Sequence, residues 1–320
     1  MQFKSVFKEE INTYLQVRVS AGKYVKHAQY ILLGLDMFLQ QSNILEKALT
    51  EEMITLWRKT LTCKPSTKKK KLLVIRDFAK YLNLLGYNAF IPEIPRASSD
   101  YVPYGFSEEE WIRIIDACDN LSCGHSYSNT PVEFPVLVRM LYGCGLRLNE
   151  ALSLQMKDID LNGGTLTIRQ AKRNRQRLVP MSKSLTEICR RYCQRMCLIP
   201  KGDSFVFPNY YKKPYSNSWA ERWFRIILEQ SAITYERTDS HERGPCPHCL
   251  RHTFVFRSFA KAEAEGYPLD NSVPFLSTYL GHENIIETDK YLKFSYELYP
   301  DAHKRISQYT ANVFPEVTAE

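Results

Sequence analysis

Asp160-Leu-Asn-Gly-Gly-Thr-Leu-Thr-Ile-Arg169-Gln-Ala-Lys172-Arg173-Asn-Arg175-Gln-Arg177-Leu-Val-Pro180 is the stretch on which the fold turns. It opens with the chemistry of a tight turn, since Asp, Asn and Gly tolerate backbone angles that other residues resist. Thr165-Leu-Thr-Ile-Arg169 then alternates in polarity and is rich in branched side chains, which predicts a strand. Lys172 to Gln176 is polar, and Arg177-Leu-Val-Pro180 resumes the extended pattern. A β-hairpin is expected, with Lys172 at or near its tip. Phe205-Val-Phe207 is expected to form a further short buried strand. Elsewhere apolar residues recur at helical spacing, so the fold class is mainly α with a small β-sheet.

Upstream of the hairpin, residues 1 to about 88 read as helices only. Phe7, Ile11, Tyr14 and Leu15 share one helical face, as do Tyr24, Ala28, Ile31, Leu35 and Phe38. Met53, Leu56 and Trp57 mark a third helix, and a fourth is expected from about Lys71 to Leu85, stopped by Gly86. Just ahead of it lies the run Lys68, Lys69, Lys70 and Lys71, either a solvated helix start or a patch that contacts phosphates. Ile91-Pro-Glu-Ile-Pro-Arg-Ala-Ser-Ser-Asp-Tyr-Val-Pro-Tyr-Gly105 carries three prolines and disfavours both helix and sheet. The expected organisation is therefore a helical domain over 1–90, a linker over 91–106 and a larger domain over 107–320. Ser107 and Glu110 form a capping box that opens the second domain. A helix through Phe134, Val136, Leu137 and Leu141 is expected to end at Gly143-Cys-Gly145.

Composition narrows the class. The 320 residues are 44% hydrophobic and 24% charged, ordinary for a globular protein, with room for two cores. No apolar run approaches the 18 or so residues that a membrane span requires, and the N-terminus lacks the apolar stretch of a signal peptide. A cytoplasmic protein is expected. The net charge of +8 suits nucleic-acid binding, a moderate signal by itself. Nine cysteines in such a chain are expected to be reduced thiols, with Cys189, Cys193 and Cys197 along one helix face. Cys246-Pro-His-Cys249 has the spacing of a zinc or redox pair as well as of structural thiols, and these readings stay open.

Six residues from position 147 onward carry the chemistry: Arg147, Lys172, His248, Arg251, His282 and Tyr291. They stand in Gly143-Cys-Gly-Leu-Arg147-Leu-Asn-Glu150, in the hairpin, in His248-Cys-Leu-Arg251-His-Thr-Phe254, in Leu280-Gly-His282, and nine residues beyond that histidine. Two guanidiniums can hold the nonbridging oxygens of a phosphodiester, whose negative charge grows as the bond breaks. A lysine can protonate a leaving oxygen, and histidine can serve as base or as phosphate donor. A tyrosine hydroxyl can act as nucleophile when its site is positive enough to favour the phenolate.

At these residues the chain resembles the tyrosine recombinase (phage integrase) family, with the motifs in order over nearly its whole length. The resemblance implies a helical N-terminal core-binding, SAM-like domain and a mixed α/β catalytic domain with a C-terminal tail that links protomers. It implies Arg147 and Arg251 as the clamp, Glu150 as the supporting acid, and Lys172 as the hairpin lysine. It implies His248 and His282 as the histidine positions and Tyr291 as the nucleophile. Lys68–Lys71, Arg173, Arg175 and Arg177 are then expected to face DNA. The implied activity is site-specific recombination of double-stranded DNA, of the integrase or transposase kind and tied to a mobile element. It runs through a 3′-phosphotyrosyl intermediate on a homotetramer, with neither metal nor cofactor, beside accessory recombination proteins and the nucleoid. The alternatives are a type IB topoisomerase-like relaxing enzyme and a catalytically silent DNA-binding architectural protein. The segment Lys261–Pro274 is expected to form an extended loop between helices.

Overall fold

Helical spacing and end signals in the first hundred residues give α1 (Lys8–Ser20), α2 (Lys26–Gln41), α3 (Glu51–Thr60) and α4 (Pro65–Leu84). The computed structural model describes residues 2–44, 46–95, 103–122, 129–169, 176–236, 244–282, 284–285, 287–288 and 291. The chain divides into two units, Met1–Tyr101 and Val102–Glu320.

In the first unit Phe7 and Ile11 of α1's entry and face, Ile31 and Leu35 of α2, Trp57 of α3 and Ile75 and Phe78 of α4 meet in one core. The Thr50 side chain accepts from Met53 N at 3.3 Å and caps α3. That helix turns differently from its expected face: Ile54 and Trp57 are buried, whereas Leu56 is 46% exposed. The fourth helix also starts earlier than expected. Pro65 stands in its first turn, where a fixed φ favours helix and a missing N–H costs nothing. Lys68–Lys71 therefore lie within α4 rather than ahead of it.

The second unit contains α5 (Glu108–Asp119), α6 (Thr130–Cys144), α7 (Leu148–Leu152), β1 (Ile159–Asp160), β2 (Thr165–Arg169), β3 (Gln176–Pro180), α8 (Lys183–Arg195), α9 (Asn217–Gln230), α10 (Pro247–Ala264) and α11 (Leu269–Leu280). Ser107 and Glu110 close the expected capping box on α5, with Glu110 N donating to Ser107 Oγ at 3.1 Å and Ser107 N to Glu110 Oε2 at 2.9 Å. The strands form an antiparallel sheet in the order β1-β2-β3, with Thr165 opposite Pro180 and Arg169 opposite Gln176. The apolar helix α6 lies at the centre of this core and packs against α5, α8 and α10. It ends at Gly145, whose φ of +59° is left-handed; a Cβ there would lie 2.5 Å from Phe254 Cδ1 of α10.

Three further expectations are corrected. Phe205-Val-Phe207 is not a strand: Phe205 makes a single bridge to Gln155, although Val206 and Phe207 are buried. A lone bridge leaves no ladder to extend. Lys261–Pro274 is mostly helix, because α10 runs to Ala264 and α11 begins at Leu269, so only a short turn through Gly266 connects them. Lys-Ala-Glu-Ala is a strong helix former, and Gly266, at φ +80°, stops it. Cys197 leaves the face of Cys189 and Cys193, since α8 has ended and Cys197 is exposed in a left-handed turn.

Candidate active site

Arg147 is the N-cap residue of α7, and Glu150 is placed one turn on, where its carboxylate folds back. Arg147 N donates to Glu150 Oε2 at 2.9 Å and Arg147 Nη1 to Oε1 at 3.0 Å. From β3, Arg177 approaches the same carboxylate as a fork, Nη1 to Oε1 at 3.0 Å and Nη2 to Oε2 at 2.7 Å. Burial by itself would raise the pKa of Glu150. Its hydrogen bonds and charge pairing with Arg177, then Arg147, hold it below the ordinary carboxylate value.

This pairing corrects the expectation for Arg177. Its side chain is only 11% exposed and its Nε donates to Tyr279 O at 2.8 Å, so it is a structural partner of Glu150 rather than an outward cation. On β3 it shares the inward face with buried Val179, while Leu178 between them points outward.

The first turns of α10 supply His248, Arg251 and His252, which share one face at i, i+3 and i+4. Arg251 is 1% exposed. Its Nη1 donates to Gly145 O at 2.6 Å and its Nη2 to Leu280 O at 2.9 Å, with His282 Nε2 at 3.0 Å from the same Nη2. Burial, and then the neighbouring charge of Arg147, lower its pKa to about 10, which leaves it charged at neutral pH.

The last turn of α11 is the opposite wall. A helix end leaves its final carbonyls without helical partners, and here arginines take them. Tyr279 O accepts from Arg177, Leu280 O from Arg251, and Gly281 O from Arg147 Nη2 at 3.0 Å. Gly281 itself is left-handed, at φ +65°.

Beyond this turn, the tautomer of His282 follows from its neighbours. Arg251 has only donors to offer, so Nε2 accepts; Nδ1 then carries the proton and donates to Thr288 Oγ1 at 2.6 Å. Burial, followed by the charges of Arg251 and Arg147, pulls the pKa of His282 down to about 3, so the ring is neutral. Tyr291 is 8% exposed, with Phe256 against its ring and its hydroxyl 2.8 Å from His252 Nδ1. Burial raises its pKa, and Arg251 and then Arg147 pull the other way. His252 is neutral too, its pKa lowered to about 3 by burial and then by His248 and Arg251. His248 stands edge-on to His252, ring centres 4.7 Å apart, and is open to solvent. Partial desolvation and the positive charge of Arg251 and Arg147 lower its pKa as well.

Five of the six expected residues thus gather around Glu150 and the end of α11. Lys172, Arg173 and Arg175 lie outside the described residues. Lys68–Lys71 belong to the other unit. Among the described residues, no group of three or more His, Cys, Asp or Glu side chains could hold a metal, and no helix is long and apolar enough to cross a membrane.

The sequence reading missed two contacts. His252 was legible in principle, since it lies one turn beyond His248 and beside Arg251 on the same helix. Thr288 was not: a threonine between two site residues has no distinguishing pattern.

A chain with this arrangement can be compared with known proteins. The pattern that defines the phage integrase family matches residues 106–297. The chain belongs to the phage integrase family. Among members of known sequence, a protein of Sinorhizobium fredii named putative integrase/recombinase y4rB is 28% identical over 313 residues, covering 95% of this chain and 98% of its own length. A tyrosine recombinase XerC of Staphylococcus carnosus is 26% identical over 251 residues, 76% of this chain and 77% of that one. In fold, the chain is similar to the XerH site-specific recombinase bound to its difH substrate, with a TM-score of 0.66 at 17% identity over 88% of this chain and 77% of that one. It is also similar to a lambda integrase dimer bound to a core site, with a TM-score of 0.64 at 16% identity over 88% and 75%. The mainly helical fold with a small sheet is that of tyrosine recombinases.

Proposed function

We propose that this site breaks and rejoins DNA strands through a covalent bond between Tyr291 Oη and the scissile phosphate. The protein is a site-specific tyrosine recombinase, an enzyme of DNA recombination and integration, as its family and its named relatives support. They do not support the topoisomerase-like or catalytically silent alternatives.

The observation that carries the reading is the convergence of Arg147, Arg251, His282 and Tyr291 on the last turn of α11. Arg147 is the open member, its side chain 36% exposed, and it retains donors beyond those given to Glu150 and Gly281. Arg251 is held more deeply by two carbonyls, with N–H groups to spare. Together they supply fixed positive charge for a phosphorane-like transition state without reorganising. His248, at the solvent side, and His282, whose ring is fixed by Thr288, sit beside the two arginines as further hydrogen-bonding groups. His252 holds the hydroxyl of Tyr291.

Tyr291 Oη passes its proton to His252 Nδ1, 2.8 Å away, and attacks phosphorus. The bond to the 5′-oxygen breaks, and Lys172, between β2 and β3 in sequence, delivers a proton to that leaving oxygen. The products are a 3′-phosphotyrosyl link and a free 5′-hydroxyl. A 5′-hydroxyl from a partner strand reverses the step, so bond energy is conserved. Basic Arg173 and Arg175, and Lys68–Lys71 of α4, are proposed to meet phosphates of double-stranded recombination sites. Four protomers on two such sites, joined by tails beyond Tyr291, complete the reading, with a mobile element as the substrate DNA. Accessory recombination proteins and a cytoplasmic, nucleoid setting belong to the same proposal.

The test is a suicide substrate, a nicked duplex bearing the cognate site from which the short fragment carrying the new 5′-hydroxyl escapes. Wild-type protein is expected to accumulate a covalent protein–DNA adduct in the presence of EDTA, and Tyr291→Phe none. An adduct that survives Tyr291→Phe, or none in wild type, would overturn the reading.

A further inference from the structure

The helix that carries His248, Arg251 and His252 is capped by a pair of cysteines. Cys246 is the N-cap residue of α10 and Cys249 the third residue within it. Cys249 N donates to Cys246 O at 2.8 Å, and Cys246 N reaches Cys249 Sγ at 3.4 Å, so each residue satisfies the other's end of the turn. The two sulfurs are 3.7 Å apart and unbridged. A disulfide needs about 2.05 Å, so closing the gap takes side-chain rotation together with a tightening of the turn between them.

The pair is also chemically asymmetric. Cys249 is fully buried, and its hydrogen bond with Cys246, followed by burial, pushes its thiol far above the ordinary value. The two Sγ atoms share a weak hydrogen bond in which either can donate. Cys246 is half-buried, within reach of a small reagent, and at the N-terminus of a helix, where the backbone N–H groups favour a thiolate. Four buried thiols are placed less well for exchange. Burial pushes Cys118, Cys144 and Cys189 up to about 12 and Cys193 to about 11.

We propose that Cys246 and Cys249 are a redox-modification site: a low-molecular-weight disulfide closes them into a bridge, and the bridge slows strand cleavage. The Cys246 thiolate attacks the reagent's disulfide, forming a mixed disulfide and expelling one thiolate. Cys249 then gives up its proton and attacks Cys246 Sγ, closing the intramolecular bond and releasing the second thiol. Two protein thiols are oxidised and one small disulfide is reduced to two thiols.

The bridge acts through geometry. Drawing the sulfurs together takes Cys249 Sγ out of its reciprocal bond with Cys246 N and tightens the turn that carries His248. Arg251 and His252 follow on the same turn of helix. A displacement of about 1 Å in such a constellation costs ten- to a hundredfold in rate. The effect on cleavage rests on the recombinase reading above, whereas bridge formation does not.

The experiment equilibrates the full chain with oxidised and reduced glutathione at a series of ratios. Trypsin releases Gly244-Pro-Cys-Pro-His-Cys-Leu-Arg251, a peptide containing these two cysteines and no other. Its mass is expected to fall by two hydrogens on oxidation. Adduct formation on the suicide substrate is expected to slow about tenfold in parallel, and dithiothreitol restores both. Cys246→Ser and Cys249→Ser are expected to lose the glutathione sensitivity. A peptide that stays reduced at ratios that oxidise an ordinary Cys-x-x-Cys pair overturns the site. So does stoichiometric zinc on the pair that blocks bridging. A bridge that leaves the cleavage rate unchanged overturns the regulation. If reduced protein forms no adduct at all, the recombinase reading fails, and the peptide mass still decides the bridge.

Discussion

In the Met1–Tyr101 unit, buried Asp36 accepts from Lys4 N, from Ser5 N at 2.8 Å and from Gln40, pinning the N-terminal segment to α2. Glu10 does a similar local task with Lys47 at 2.7 Å and Tyr87 at 2.6 Å. In the Val102–Glu320 unit, Glu150 instead serves two arginines, and these same arginines reach on to the end of α11, where Arg251 also arrives. The first unit uses buried charge as tethers, each with its own partners. The second shares partners among charges, which fixes several guanidiniums relative to one another. Shared partners mark the place where position matters to chemistry and not only to stability.

The contrast is broken most severely at Glu150. Glu150→Ala leaves Arg177 nearly buried beside no counter-charge, and a cost of about 3–5 kcal/mol is expected in urea unfolding. Adduct formation is expected to vanish with it, because Arg147 loses its anchor. A variant that unfolds at the wild-type midpoint would show that the carboxylate is not the hub.

His252→Ala removes the partner of the Tyr291 hydroxyl. Adduct formation is expected to slow about a hundredfold, or about 2.7 kcal/mol, with DNA affinity unchanged. His252→Asn, which keeps a polar atom near the Nδ1 position, is expected to recover part of the rate. Equal losses in both variants would mean that His252 only fills space.

Acid gives a smaller effect with a definite sign. His252 and His282 have folded pKa values depressed to about 3, so in the unfolded chain they take up protons below about 6.5 that the folded chain refuses. Their contribution is intact above that pH and is lost as the pH falls through 6.5 toward 3. At pH 5 the loss is on the order of 2 kcal/mol for each. Urea midpoints at pH 7.5 and 5 measure it, and His252→Asn should reduce the difference by about half.

Asp36→Ala is the control from the tethered unit. It should cost about 1–3 kcal/mol by stranding the buried N–H groups of Lys4 and Ser5, while adduct formed per folded molecule stays at the wild-type level.

How much of this was legible depends on which atoms make each contact. Helices and the hairpin follow from periodicity, and the residues that carry the site are side chains with distinctive chemistry, so their identities and spacing point to them. The interactions that hold the arginines are different. Gly145 O, Tyr279 O, Leu280 O and Gly281 O are backbone carbonyls, which every residue possesses, so nothing in the sequence distinguishes them as acceptors. Arg177 was misplaced because it stands in a basic run, although the alternation with Val179 already set it on the inward face. The helical bounds of Lys261–Pro274 escape a reading by length against the family pattern, because its alanines and lysine simply continue a helix.

The end of α11 has one more implication. Three successive carbonyls answer to three arginines that come from β3, from α10 and from the cap of α7. No one of these segments can be withdrawn without stranding an acceptor that the others cannot fill, and no shift of the turn can favour one arginine alone. The turn is therefore a keystone rather than a hinge: displacing any one of the three segments leaves one of its carbonyls without its arginine.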